Sequence, residues 1–293
     1  MVTMKNSQPF EVTEVDQDAE SIRAQAQKQG YLFIKGLIPS ADLMQLRQEI
    51  TAVCAKHHLL DSDRDPLEGI ALPGRAVVES VDEEYLPYYR DLQKLRSFHA
   101  MSHHPTLIKV FESLFDESVL VLGCNICRTI FPNLTLHSTP PHQDHYYILG
   151  TTETWTAWIP CGDCSGELGS LAVIPGSHQQ GLLTTREASG GAGGRETILD
   201  EDIVWACGDF ACGDCLLLHS LCIHQGRDNL TADRIRFSLD FRYQPLSHPV
   251  HYRSIETPHV AAVLNWEEVY QNWPENDPLK YYWKDLPIKV ETN

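Results

Sequence analysis

The stretch His142-Gln143-Asp144, set between Thr139-Pro140-Pro141 and the strand-like run TWTAWIP (154–160), decides how the rest of this 293-residue chain is read. In an extended segment residues i and i+2 share a face, so the His142 imidazole and the Asp144 carboxylate can reach one point. A third donor is expected from a distant strand, and His224 stands at the end of the apolar run CLLLHSLCIH, just before a turn signal. Two imidazoles and one carboxylate on one face of an octahedron, with the other positions open, form the donor set of non-haem Fe(II) oxygenases. His-x-Asp alone is a weak signal, because a loop histidine bonded to its neighbouring aspartate reads the same way.

Outward from that stretch, residues 118–245 carry short strand-like runs (SVLVLGCNICRTIF, TWTAWIP, LGSLAVIP, CLLLHSLCIH, IRFSLDFRYQ) separated by Gly, Pro, Asp and Asn. That pattern predicts an all-β sandwich or barrel, and no βαβ rhythm competes with it. Residues 1–117 read as mainly helical, with helical spacing in DAESIRAQAQKQG and SADLMQLRQEITAVCAKH, a strand at Tyr31–Ile38 between them, and helix again over 84–116. The glycine-rich 184–200 reads as a mobile surface loop, and the aromatic tail 246–293 as a helix plus extended chain wrapping the core. The whole chain, 1–293, is predicted to be a single domain.

Composition bounds the function. With 40 Asp and Glu against 23 Lys and Arg, the net charge of −17 opposes nucleic-acid and anionic-membrane binding. No apolar run is long enough to span a bilayer and the start is polar and acidic, which predicts a cytoplasmic protein. Nine cysteines, an odd number in a full-sized chain, suit free thiols or metal ligands better than a disulfide framework. A homo-oligomer is left open by the sequence.

The order of these words resembles the phytanoyl-CoA dioxygenase family of iron(II)- and 2-oxoglutarate-dependent oxygenases. The likeness runs from about Gly30 to Pro245 and rests on HQD, TWTAWIP, IPGSH (174–178), a Gly-Asp turn entering GDCLLLHS (213–220), and the closing His224 and Arg236. It implies a double-stranded β-helix, or jelly roll, with flanking helices. It makes His142, Asp144 and His224 the iron ligands, and Arg236 the clamp on the far carboxylate of 2-oxoglutarate. Alternation puts Arg234, Arg236 and Arg242 on one strand face, so spacing alone cannot select among them; Arg236 is preferred because Arg-x-Ser matches the family. The family often places a hydroxyl two residues after the distal histidine, where this chain has Gly226, so that helper must come from elsewhere. For the metal-proximal carboxylate the preceding strand offers Asn125, Arg128 and Thr129, of which Arg128 or Thr129 is preferred. Asp144 favours hydroxylation over halogenation, since halogenating relatives carry a small residue there. The implied cofactors are Fe(II), 2-oxoglutarate and O2, with succinate and CO2 released as a small-molecule metabolite is hydroxylated or otherwise oxidised.

Two other readings accompany this one. Cys161-Gly-Asp-Cys164 and Cys212-Gly-Asp-Cys215 are hairpin-like turns whose four thiols could hold a second, structural metal, and the chain would then be a zinc-stabilised jelly roll without catalysis. Alternatively the same fold performs desaturation, cyclisation or cleavage. Some of His145, Tyr146, Tyr147, Trp155 and Trp158 are expected to line a substrate pocket, with core packing the first expectation for any single one, and His178 reads as a structural strand-end residue rather than a ligand. His219 is a competitor of His224. Substrate choice is expected to reside in residues 60–82, 184–200 and 246–293. So acidic a chain is a poor match for the phosphates of a coenzyme A ester, which favours a free metabolite.

Overall fold

A computed structural model describes residues 6–79, 83–134, 138–188, 194–199, 202–257 and 264–292. The chain begins with β1 (Asn6–Gln8) and β2 (Val12–Thr13), then α1 (Ala19–Gln29), β3 (Tyr31–Ile34) and α2 (Ser40–Lys56). Asp18 caps α1 by accepting the Ser21 N–H, and Gly30, at φ 72°, ends it with its own N–H on the Ala26 carbonyl. The strand expected over 31–38 stops at Ile34 because the chain turns through Gly36 at φ 61°.

The region 84–116 is three helices rather than one: α3 (Tyr85–Gln93), α4 (Arg96–Met101) and α5 (Pro105–Phe115). Pro105 begins α5, where its missing N–H costs nothing. Next come β4 (Val119–Val121) and β5 (Ile126–Ile130), separated where Gly123 passes beneath Trp266. The core continues with α6 (His145–Ile148), β6 (Trp155–Pro160), β7 (Leu171–Val173), β8 (Thr185–Glu187), β9 (Arg195–Thr197), β10 (Val204–Cys207), β11 (Cys215–His219), β12 (His224–Gly226) and β13 (Arg236–Pro245). In the tail, β14 (Val250–His251) pairs with β15 (Val290–Glu291), and α7 (Trp266–Val269) adds one turn within an aromatic cluster.

Two sheets face each other in a jelly roll. The larger runs β2-β3-β11-β6-β13, with β4 and β5 sharing the far edge of β13; the smaller runs β1-β10-β7-β12. Their hydrogen bonding does not continue from one sheet to the other into a closed barrel. The run CLLLHSLCIH is two strands, β11 in the large sheet and β12 in the small one, with the crossing at residues 220–223. The run is buried throughout, and its polar pair His219-Ser220 marks where the crossing begins. The polar start is structural as well: β1 extends the small sheet and β2 the large one, with Phe10 between them packing on Phe33 and Phe210.

Period-two alternation sorts the side chains of the large sheet. Trp155, Ala157, Ile159, Phe237, Leu239 and Phe241 face outward under the helices in the main core, to which α5 adds Leu107, Phe111 and Leu114. Burying such a side chain contributes about 1.5–3 kcal/mol. Inward, between the sheets, Trp158, Leu216, Leu218 and Val173 form the second core, and Thr156 of β6 with Arg236, Ser238, Asp240, Arg242 and Gln244 of β13 bring polar groups inward. The flanks of 184–200 pair as the β8–β9 hairpin rather than forming only a loop, and its tip at 189–193 lies outside the described residues.

Candidate active site

His142 and His224 are joined through their backbones: each N–H donates to the other's carbonyl, at 2.9 and 3.1 Å, extending the small sheet beyond β12. Their rings lie 4.1 Å apart between centroids. His142 Nδ1 lies 2.8 Å from the Pro140 carbonyl and His224 Nδ1 3.0 Å from the Cys222 carbonyl. Each Nδ1 therefore carries the proton, and both Nε2 lone pairs are left bare. Both face one oxygen of Asp144, with Oδ1 at 3.5 Å from His142 Nε2 and 3.9 Å from His224 Nε2. Asp144 is not extended, as the i, i+2 argument assumed; it has helical dihedrals at the N-cap of α6, and the turn swings its carboxylate back toward the histidines.

The second oxygen of Asp144 is held by the protein. Thr156 on β6 donates to Oδ2 at 2.5 Å, and Arg242 Nε stands 3.8 Å from the same atom. Burial disfavours the charged carboxylate, but the interactions around it, led by the Arg242 charge, outweigh burial and hold Asp144 well below the usual carboxylate range. Burial, reinforced by His142, pushes His224 down to about 4 and keeps it a neutral donor at ordinary pH. Donor atoms of His142, Asp144 and His224 all fall within 4.8 Å of one another, and all three residues are buried. They fit a divalent first-row metal by donor type as well as by spacing.

Arg236, Asp240 and Arg242 project into the same narrow pocket, with Arg128 from β5 and Thr139 beside them. Arg236 lies over Trp158, 5.8 Å from the ring centroid, and one of its terminal nitrogens donates to the Gly169 carbonyl. Its Nε, fully buried, has no hydrogen-bond partner among the described residues. A buried guanidinium with an open edge fits a carboxylate ligand such as 2-oxoglutarate. The structure separates Arg128 from Thr129: Arg128 enters the pocket, bonded to Asp240 (2.8 Å) and Glu79 (2.9 Å), whereas Thr129 bonds Tyr88 on the helix side of the sheet. Thr139 faces Gly226, whose N–H donates to the Thr139 carbonyl at 3.0 Å. Arg234 lies outside this pocket.

Thr156 and the Asp144 contact of Arg242 were missed in the sequence; alternation puts both side chains inward, but it does not say what they meet. Beyond Arg242 the site opens into a cavity of about 540 Å³ with Tyr85, Tyr89, Tyr147, Tyr252 and Arg253 in its wall. His219 is not in the cluster, since its Nδ1 accepts the Leu221 N–H and its Nε2 faces Glu153. His178 is held at the Gln27 carbonyl, Trp155 packs in the main core, and Trp158 lines the pocket beside His142, Asp144 and His224.

The two Cys-Gly-Asp-Cys turns do not build a second metal centre. Among the described residues the only close group of three or more His, Cys, Asp or Glu donors is His142, Asp144 and His224. Cys161 and Cys215 are buried on the helix side of the large sheet and Cys164 between the sheets, so these thiols are divided between two cores. Burial pushes Cys161 up to about 12 and Cys164 to about 11, which keeps both protonated. All nine cysteines are free.

The family model described as "Phytanoyl-CoA dioxygenase (PhyH)" matches residues 26–238. A 1-deoxypentalenic acid 11-beta-hydroxylase from Streptomyces arenae is 27% identical over 248 residues, covering 78% of this chain and 82% of that one. Among solved structures, the non-heme alpha ketoglutarate dependent carbocyclase of nogalamycin biosynthesis aligns with a TM-score of 0.56 and 19% identity, covering 82% of this chain and 89% of that one. The epimerase of the same biosynthesis, solved with Fe3+, alpha ketoglutarate and nogalamycin RO, aligns with a TM-score of 0.56 and 18% identity, over 79% and 85% of the two chains. At these identities the solved structures attest the fold alone. Among the described residues no helix is long and apolar enough to cross a membrane.

Proposed function

The chain belongs to the phytanoyl-CoA dioxygenase family of Fe(II)- and 2-oxoglutarate-dependent oxygenases, and from that premise we propose that it hydroxylates a C–H bond of a small free metabolite, releasing succinate and CO2. His142, Asp144 and His224 would hold the iron, Arg236 the far carboxylate of 2-oxoglutarate, and Arg128 the near one. The observation that carries this reading is the donor geometry: two imidazoles with Nδ1 committed to carbonyls and Nε2 turned inward, beside one carboxylate oxygen left unclaimed by the protein. Bound iron and 2-oxoglutarate supply the oxidant from O2.

The protein's own residues orient and enclose. Thr156 and Arg242 fix Asp144 through one oxygen, and Thr139, which lines the same pocket as Gly226 and Arg236, would supply to the far carboxylate the hydroxyl that Gly226 lacks. The retained Asp144 supports hydroxylation rather than halogenation, as does a curated relative named as a hydroxylase. The net charge of −17 supports a free metabolite over a coenzyme A ester.

The test is anaerobic absorbance on the purified apoprotein as Fe(II) and then 2-oxoglutarate are added. A visible metal-to-ligand charge-transfer band is expected, absent in His142→Ala and needing far more 2-oxoglutarate in Arg236→Ala. No band, in a protein that instead holds zinc tightly, overturns the proposal.

A further inference from the structure

The cavity beyond Arg242 is large, aromatic and unevenly charged. At about 540 Å³ it falls within the range of small-molecule sites, and it begins where the metal-facing pocket ends, with Arg242 forming part of both walls. Tyr147, which rises from α6 three residues after Asp144, stands edge-on to the His142 ring at 6.0 Å between centroids. A molecule lying against Tyr147 therefore has one end beside the metal ligands. Tyr85 and Tyr89 add a second aromatic part of the wall, stacked on each other at 5.6 Å between centroids.

The charged groups of the wall are not equivalent. Glu79 is paired with Arg128, Arg242 stands over Asp144, and Glu256 has an interaction of its own. Arg253 makes no ion pair with any described residue. Its guanidinium lies over the Tyr252 ring, 5.8 Å from the centroid, and its Nε donates to the Tyr252 hydroxyl at 3.3 Å. Stacking and that one bond fix the plane of the fork and leave its two terminal nitrogens to grip a planar, two-pronged acceptor.

We propose that the substrate is a carboxylic acid with a compact, largely hydrocarbon body, its carboxylate gripped by Arg253 and its body laid among the tyrosines so that one of its C–H bonds reaches the metal-facing pocket past Arg242. This rests on the oxygenase reading and names the substrate class for that site. A carboxylate suits the geometry because two parallel N–H···O bonds match the fork. A hydrocarbon body suits the wall because tyrosine faces offer area without demanding polar partners.

The experiment uses the Fe(II)- and 2-oxoglutarate-loaded enzyme under argon and three matched pairs: 1-adamantanecarboxylic acid, trans-decalin-2-carboxylic acid and abietic acid, each beside its methyl ester. Appearance of the charge-transfer band on loading tests the oxygenase reading. Its shift on adding a probe tests the substrate class. At least one acid is expected to shift the band with an apparent Kd ten-fold or more below that of its ester, a preference that shrinks as salt is raised because Arg253 is exposed. The preference should vanish in Arg253→Gln. In Arg253→Glu it should invert, with 1-adamantanemethylamine binding better than the acid. Esters binding as well as acids, an acid preference that survives Arg253→Gln, or a loaded enzyme whose band no acid shifts would each overturn the proposal while leaving the oxygenase reading intact.

Discussion

Replacing Thr156 by Val removes one hydroxyl and almost nothing else, because the two side chains have nearly the same shape. That hydroxyl donates to Asp144 Oδ2 at 2.5 Å in a fully buried setting, and the other neighbour of that oxygen, Arg242 Nε, is at 3.8 Å, too far for a strong bond. A hydrogen bond to a charged acceptor contributes about 1.5–3 kcal/mol. If the loss falls on the carboxylate's ability to present Oδ1 to the metal, the Fe(II) dissociation constant should rise about 10- to 100-fold, since each 1.4 kcal/mol is a factor of ten. Anaerobic titration with Fe(II) against a competing chelator measures it. Thr154→Val is the control, because Thr154 is buried two residues earlier and its hydroxyl donates instead to the Thr151 carbonyl, away from the metal ligands. Thr154→Val should lower stability by about 1 kcal/mol and leave metal affinity alone. An Fe(II) affinity in Thr156→Val within a factor of two of wild type, in a protein with an unchanged unfolding midpoint, would refute the claim that Thr156 positions Asp144.

Three further outcomes follow from the same geometry. Arg236→Gln should raise the 2-oxoglutarate requirement for the charge-transfer band about 100-fold while Fe(II) binding alone is unchanged, because a two-pronged charge-assisted contact is lost; equal losses of both would refute the clamp assignment. Burial pushes His99 and His103 down to about 4 in the folded protein from the ordinary 6.5, so below about 6.5 the unfolded chain takes up these protons first. Stability should therefore be fully present above pH 6.5 and fall toward pH 4, by at most about 1.4 kcal/mol per pH unit for each histidine, read as a declining urea midpoint at pH 7, 6 and 5. Gly30→Ala should cost about 2 kcal/mol or more in denaturant unfolding, since Gly30 sits at φ +72° and an added Cβ would lie 2.3 Å from His178 Nδ1.

The parts of this molecule that could be read from sequence are those governed by local periodicity. Alternation along IRFSLDFRYQ places Phe237, Leu239 and Phe241 on one face and Arg236, Asp240 and Arg242 on the other, and the folded strand keeps that division. His142 and Asp144 were legible because they lie only two positions apart, although a turn rather than a strand brings them together. What periodicity cannot carry is the partner of a side chain. Thr156 reads only as an inward residue of a strand; that it meets Asp144 depends on how α6 packs against β6. The outer cavity is less legible still, because its wall is drawn from α3, β5, α6 and the segment after β14. CLLLHSLCIH read as one strand although it serves two sheets, because its polar pair His219-Ser220 is buried like the rest of the run.

The backbone pairing of His142 with His224 has a consequence for when the protein acquires its metal. During synthesis the first two donors leave the ribosome long before the third, and they belong to no regular strand of their own. The pairing of His142 waits on a partner strand not yet made, and closing so long a loop of chain is opposed by entropy until the two sheets come together. Nascent chains ending before residue 224 therefore lack the third imidazole and the scaffold that would aim the first. If these three residues hold the iron as proposed, loading would come late in the life of the chain, and a bound iron would mark a molecule whose two sheets have already assembled.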